Sequence, residues 1–157
     1  MRIWFDTEFI EDGRTIDLLS IGLVREDGAT YYAEPSGVDV ARASEWVKAN
    51  VLPLLSGTVT SRAAIAADIR EFAGDKPEFW AYYGAYDWVA LCQLYGTMME
   101  LPKGWPMFCR DLIQLAKAKG IEKLPEQLGG KHNALNDALW TRDAYLWAVG
   151  PHWRETT

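Results

Sequence analysis

The chain has 157 residues, 49% hydrophobic and 24% charged, an ordinary globular composition that excludes a disordered chain and is sized for one domain, residues 1–157, with a full core. Lys and Arg number 16 against 22 Asp and Glu, a net charge of −6. That argues against binding nucleic acid by bulk attraction to phosphate, though not against an enzyme whose carboxylates hold divalent cations.

Two cysteines, Cys92 and Cys109, with no CxxC, argue against a zinc module or a disulfide scaffold and fit a reducing cytoplasm. A charge at Asp6 comes too early for a signal peptide, and no apolar run nears the roughly 20 residues of a membrane span. The expectation is a soluble cytoplasmic protein. Eight Trp and seven Tyr are many for this length; most are expected in the core or a dimer interface, a minority free to stack on bases.

The apolar run Arg2–Phe5 predicts a buried strand ending at Asp6-Thr7-Glu8. Residues 15–25, rich in Ile, Leu and Val, predict a second strand, and the Asp27-Gly28 turn returns the chain into a third over 30–33. Helices are expected over about 40–50, stopped near Pro53, and from the Thr60-Ser61 cap to Gly74, with Ile65, Ile69, Phe72 and Ala73 on one face. An aromatic strand over 78–83 leads through Gly84 into a helix ending near Gly96. A short strand over 107–110 precedes a helix capped by Asp111 and closed at Gly120. Beyond the Gly129-Gly130 loop a last helix opens near Asn133 and runs to about Val149. An antiparallel meander followed by strand–helix alternation defines an α/β domain with a mixed sheet of five strands and helices on both faces.

Four acidic residues and a histidine stand apart from what such a fold requires. Asp6 and Glu8, at i and i+2 of a strand, point to the same side roughly 6–7 Å apart. That spacing suits two carboxylates gripping metal ions about 3.5–4 Å from each other; a solvated strand end is the plain alternative. Asp87 falls at a strand-to-helix junction, where it is either a helix N-cap or a third carboxylate delivered to the same sheet edge, where ligand sites of open α/β sheets gather. His132 and Asp137 are five positions apart, roughly 500° of helix, so the two cannot share a helical face. The pair makes sense with Asp137 on the last helix and His132 on the loop before it, free to swing.

The three segments FDTEF, YGAYDWVAL and HNALNDA place Asp6, Glu8, Asp87, His132 and Asp137 in an order and setting that resemble the DEDDh group of DnaQ-like 3′–5′ exonucleases, over nearly the whole chain. Within that group the chain is most similar to the polyadenylate-specific exoribonucleases of the RNase AS type. The resemblance implies an RNase H-like fold and a two-metal active site taking Mg²⁺, with Mn²⁺ able to substitute. Asp6 would bridge the two ions, with Glu8 and Asp137 completing one and Asp87 supporting the other. His132 is implied as general base; a free histidine, with a pKa of about 6.5, accepts protons near neutrality. The implied reaction is hydrolysis of single-stranded RNA or 3′ overhangs, adenylate-rich ends among them, to nucleoside 5′-monophosphates by a homodimer. Many members of the group carry Asn where this chain has Tyr83, four residues before Asp87, so substrate preference is not carried over from them.

Substrate contacts are open between two roles each. Phe9 is a candidate for stacking on a base, with Glu8 beside it, or else for burial, and Trp105 is either an exposed stacker or an interface residue. Tyr86 is a further candidate, though at least one of Tyr86 and Trp88 is expected in the core. Lys103, Arg110, Lys117, Lys119, Lys123 and Lys131 form either a solvated face or a phosphate track. Other readings remain: a DNA-directed 3′–5′ exonuclease, an oligoribonuclease, or an inactive RNase H-like binding module.

Overall fold

The computed structural model describes residues 1–150; His152, to which the sequence assigns no role, lies outside them. Six strands form one sheet: β1 (Arg2–Glu11), β2 (Ile16–Arg25), β3 (Thr30–Pro35), β4 (Val59–Thr60), β5 (Glu78–Ala81) and β6 (Arg110–Asp111), in the order β4-β3-β2-β1-β5-β6. β1, β2 and β3 pair antiparallel, while β4, β5 and β6 join parallel to their neighbours. The sheet is mixed, as expected. The sixth strand is the two-residue β4, too short to leave a periodic signal.

The helices among the described residues are α1 (Glu45–Asn50), α2 (Arg62–Ala73), α3 (Ala85–Gln93), α4 (Leu112–Ala118) and α5 (Ala134–Val149). In α2 each expected local device is present. The Ser61 hydroxyl accepts from the Ala64 N–H, Ile65, Ile69 and Ala73 face inward, and Gly74 leaves the helix with φ 71°. The fully buried Ile65 and Ile69 contribute about 1.5–3 kcal/mol each. One core joins α2 and α3 to the sheet through Ile3, Phe5, Ile21, Phe79 and Leu91. A second, through Trp4, Trp80, Leu112 and Tyr145, joins α4 and α5 to it. Alternation along β1 sends Ile3 and Phe5 into one and Trp4 into the other, so helices cover both faces.

The strand expected over 107–110 is β6 at Arg110–Asp111, starting only where Arg110 pairs with Trp80 of β5. Three further predicted boundaries differ, each with a physical cause. The helix expected over 40–50 is a 3-10 turn at Val40–Arg42 and then α1. Ala43 is extended and buried, and the Ser44 hydroxyl accepts from the Val47 N–H, starting a new helix. β5 stops at Ala81, two residues early, because Tyr83 turns to φ 54°. β1 continues past Phe5 to Glu11, so Asp6 and Glu8 lie within it. β2 goes on pairing with it, Asp6 opposite Gly22 and Glu8 opposite Ser20, and these ladder bonds hold polar residues in strand geometry. A bulge between Glu8 and Phe9 then shifts the register, and Ile10 beyond it packs with Leu19, Ala43 and Val51.

Candidate active site

β5 pairs with β1 only from Arg2 to Trp4. Beyond that point the edge of β1 has no strand beside it, and α3 fills the gap. Asp87, third residue of α3, accepts from the Thr7 N–H at 2.9 Å and the Thr7 hydroxyl at 2.7 Å, both through Oδ1. It is therefore not the helix N-cap, a position held by Gly84. Its carboxylate takes the ladder bond that a longer β5 would have accepted, and its second oxygen remains for the cavity.

Asp137 arrives from the other face. α5 crosses β2 at Gly22, where a Cβ would sit 2.4 Å from the Ala134 and Leu135 backbone. Only glycine permits this approach. Because Gly22 faces Asp6 across the β1–β2 ladder, the close crossing sets the first turn of α5 over the carboxylates of β1. The Asn133 side chain caps that turn by accepting from Asn136 N–H. His132 stands just before it with φ 66°, so the loop placement expected from the five-residue spacing holds. Its backbone N–H donates to Asp137 Oδ2 at 2.9 Å, and Gln127 Nε2 donates to Oδ1 at 2.5 Å. The His132 ring rests edge-on against Trp46 of α1, centroids 4.8 Å apart.

All five predicted residues line one cavity of about 400 Å³, with Thr7, Phe9 and Trp46 on its wall. A second cavity, about 590 Å³, shares Asp6, Tyr82, Tyr83, His132 and Asp137 and adds Lys123, Gln127, Lys131 and Trp140. Ligand atoms of Glu8, His132 and Asp137 all lie within 4.8 Å of one another.

The electrostatics are those of a crowded acidic cluster, eased at Asp137 by the nearby Lys131. Burial raises the Asp6 carboxyl well above its ordinary value, and repulsion from Asp87, Asp137 and Glu8 adds to the shift. Glu8 is pushed up to about 8, first by burial and then by Asp137 and Asp87. Burial also raises Asp87 and Asp137, opposed by the hydrogen bonds from Thr7 in one case and from Gln127 and His132 in the other. Among the described residues, none of the Lys or Arg ion pairs involves any of the four. A divalent cation fits such a donor set: hard oxygens converge, and its charge supplies attraction at Asp6, Glu8 and Asp87 and adds to that of Lys131 at Asp137.

The candidate substrate contacts separate. Phe9 lines the cavity and meets Tyr86 edge-on at 6.0 Å, with Tyr86 half exposed. Trp88 is core. Trp105, read as a candidate stacker, is a core residue instead: it packs on Phe79 and Tyr95, and its Nε1 donates to the Gly74 carbonyl at 2.8 Å. The Pro/Gly loop carrying it folds inward, which loop composition does not reveal. Of the six scattered cations, Lys123 and Lys131 reach the wall of a site cavity, while Arg110 lines a separate hollow beside Glu78 and Phe108. Thr7, Gln127, Gly22 and Trp46 were not singled out from sequence. Thr7 sits inside the FDTEF motif and could have been; Gln127 lies in an irregular segment with no pattern to mark it.

Fold and site together define an α/β domain with a carboxylate-and-histidine centre where its parallel strands end. The chain belongs to the Rv2179c-like 3′-5′ exoribonuclease domain family, whose model matches residues 1–148. It is 47% identical over 146 residues, 88% of this chain and 87% of each relative, to the 3′-5′ exoribonuclease Rv2179c of Mycobacterium tuberculosis strain H37Rv and to the 3′-5′ exoribonuclease MT2234.1 of strain CDC 1551.

Proposed function

We propose that this chain is a divalent-metal-dependent 3′–5′ exoribonuclease that removes nucleoside 5′-monophosphates from single-stranded RNA ends or 3′ overhangs, adenylate-rich ones among them. The convergence of Asp6, Glu8, Asp87 and Asp137 in one cavity, within a chain of this family, carries the reading. Asp6, Glu8, Asp87 and Asp137 would hold two Mg²⁺ or Mn²⁺ ions. When bound, the ions supply an activated water and stabilise charge on the leaving 3′ oxygen.

The chain's own residues do the rest. Thr7 fixes the Asp87 carboxylate through two hydrogen bonds to one oxygen. Gln127 and the His132 N–H fix Asp137. His132, on the loop at the cavity's mouth, is placed to take the proton of the attacking water as general base. Phe9 presents a ring to the terminal base from the wall beside Glu8. The protein acts as a homodimer in the cytoplasm. Supporting the first are exposed apolar side chains in the segment after α3, Met98, Met99, Met107 and Phe108; supporting the second, the unpaired thiols of Cys92 and Cys109.

The test is incubation with Mg²⁺ or Mn²⁺ and matched RNA and DNA oligomers of different 3′ sequence, 5′-labelled. Stepwise shortening of RNA from its 3′ end, abolished by EDTA, is expected. Preference for DNA, or activity retained in EDTA, would overturn the reading.

A further inference from the structure

Tyr83 carries a backbone strain that its packing does not explain. Its φ is 54°, and the other non-glycine residue with positive φ among the described residues is His132. A bulky aromatic in this region is an outlier that glycine or asparagine would adopt far more readily. The turn itself dictates the conformation. Gly84, at φ −73°, has no room for a side chain, since a Cβ there would lie 2.3 Å from the Ala81 Cβ. The Gly84 N–H donates to Asp111 Oδ2 at 3.0 Å, and the Ala85 N–H to the Tyr83 carbonyl at 2.9 Å. Neither bond uses the side chain at position 83, so both would form with any residue there.

The tyrosine ring gains little in return. It is 62% exposed and rests on Tyr82 with centroids 4.6 Å apart. What distinguishes its place is that it lines both cavities, along with Tyr82 and the site residues Asp6, His132 and Asp137. The ring therefore stands at the divide between the two hollows that flank the carboxylates. Strain retained at a site wall, with an exposed flat ring beside reacting groups, is the signature of a ligand contact.

We infer that Tyr83 is a base-stacking, specificity-determining residue for the RNA 3′ end, held in a left-handed conformation so that its ring projects between the two cavities. The inference rests on the exoribonuclease reading and adds a contact to it. Stacking on an aromatic ring is worth enough to change affinity roughly five- to 150-fold.

The experiment compares wild type with Tyr83→Asn and Tyr83→Phe on a 5′-labelled oligoadenylate, measuring kcat, KM, Tm and oligomeric state, with RNA affinity measured separately in Ca²⁺. Tyr83→Asn is expected to raise KM and weaken binding at least fivefold, leave kcat within about threefold, and match or exceed the wild-type Tm because the strain is relieved. Tyr83→Phe keeps the ring and is expected to restore the wild-type KM. An unchanged KM in Tyr83→Asn would overturn the inference, as would a Tm lower than wild type or a changed oligomeric state, which would mark the ring as structural or interfacial. If wild type cleaves no RNA yet binds it with Tyr83-dependent affinity, the exoribonuclease reading falls and the contact stands.

Discussion

The two halves of β1 share one strand and one hydrogen-bonded partner yet do opposite things to the fold. At Ile3 and Trp4 the strand has β2 on one side and β5 on the other, and with Phe5 these side chains fill both cores with almost no exposure. Each such side chain contributes about 1.5–3 kcal/mol by leaving water. From Asp6 to Glu8 the β5 side is empty of strand, and the same alternation aims two carboxylates at Asp87 and Asp137. That half stores repulsion. The first half provides the rigidity against which the second is held, and the point of change is the residue at which β5 turns away.

Reversing the charge balance of the second half breaks this contrast most sharply. Asp6→Asn removes the residue that feels all three other carboxylates. Metal-dependent cleavage is expected to be abolished, while the metal-free Tm rises by about 2–4 °C for each kcal/mol of repulsion relieved. Calorimetry showing wild-type Mn²⁺ binding in this variant would contradict the proposed metal-holding role of Asp6. His132→Ala comes next. As general base, His132 should account for roughly 10²- to 10⁴-fold in turnover, with Mn²⁺ affinity little changed. Because the His132 ring lies close enough to Glu8 and Asp137 to act as a ligand, a parallel loss of Mn²⁺ binding would reassign it from base to ligand.

The sequence exposed the polar half of this contrast more clearly than the boundaries around it. Charges following the apolar Ile3-Trp4-Phe5 demand a reason, and the five-residue gap from His132 to Asp137 already separates loop from helix. Hidden from sequence was how far β1 would run. Its polar second half is kept in strand by pairing with β2, a long-range effect that no local pattern reports. The same is true of Gly22, which reads as one small residue in an apolar strand and proves to be where α5 touches the sheet. Trp105 misleads in the reverse direction: Pro and Gly around it suggest an exposed loop, whereas the indole is held by Phe79, Tyr95 and the Gly74 carbonyl.

A smaller effect sharpens the contrast by testing how the repelling groups are held. Gln127 donates to Asp137 Oδ1, and its segment is tied to α5 again where Trp140 Nε1 donates to the Pro125 carbonyl at 3.1 Å. Removing such an outer partner of a metal ligand costs about 10- to 100-fold in affinity. Gln127→Ala is expected near the lower end, since the His132 N–H still restrains the other oxygen. The measurement is Mn²⁺ calorimetry beside a Tm: weaker binding at unchanged Tm supports the role, and unchanged binding removes it.

The smallest expected effect concerns stability alone. The carboxyls of Asp6, Glu8, Asp87 and Asp137 hold protons more tightly folded than unfolded. Stability is therefore full below the ordinary carboxylate range and is lost as pH rises through the folded values, to about 8 at Glu8. Without metal, Tm should fall by a few degrees between about pH 5 and about pH 8, opposite in sign to acid denaturation by salt-bridged carboxylates. A cation that displaces those protons reverses the trend, because its affinity grows as the ligands ionise. The Tm gain from saturating Mn²⁺ should accordingly be larger at pH 8 than at pH 5.5, and should shrink in Asp6→Asn. A metal-free Tm independent of pH across that window would mean that the second half of β1 carries no stored repulsion.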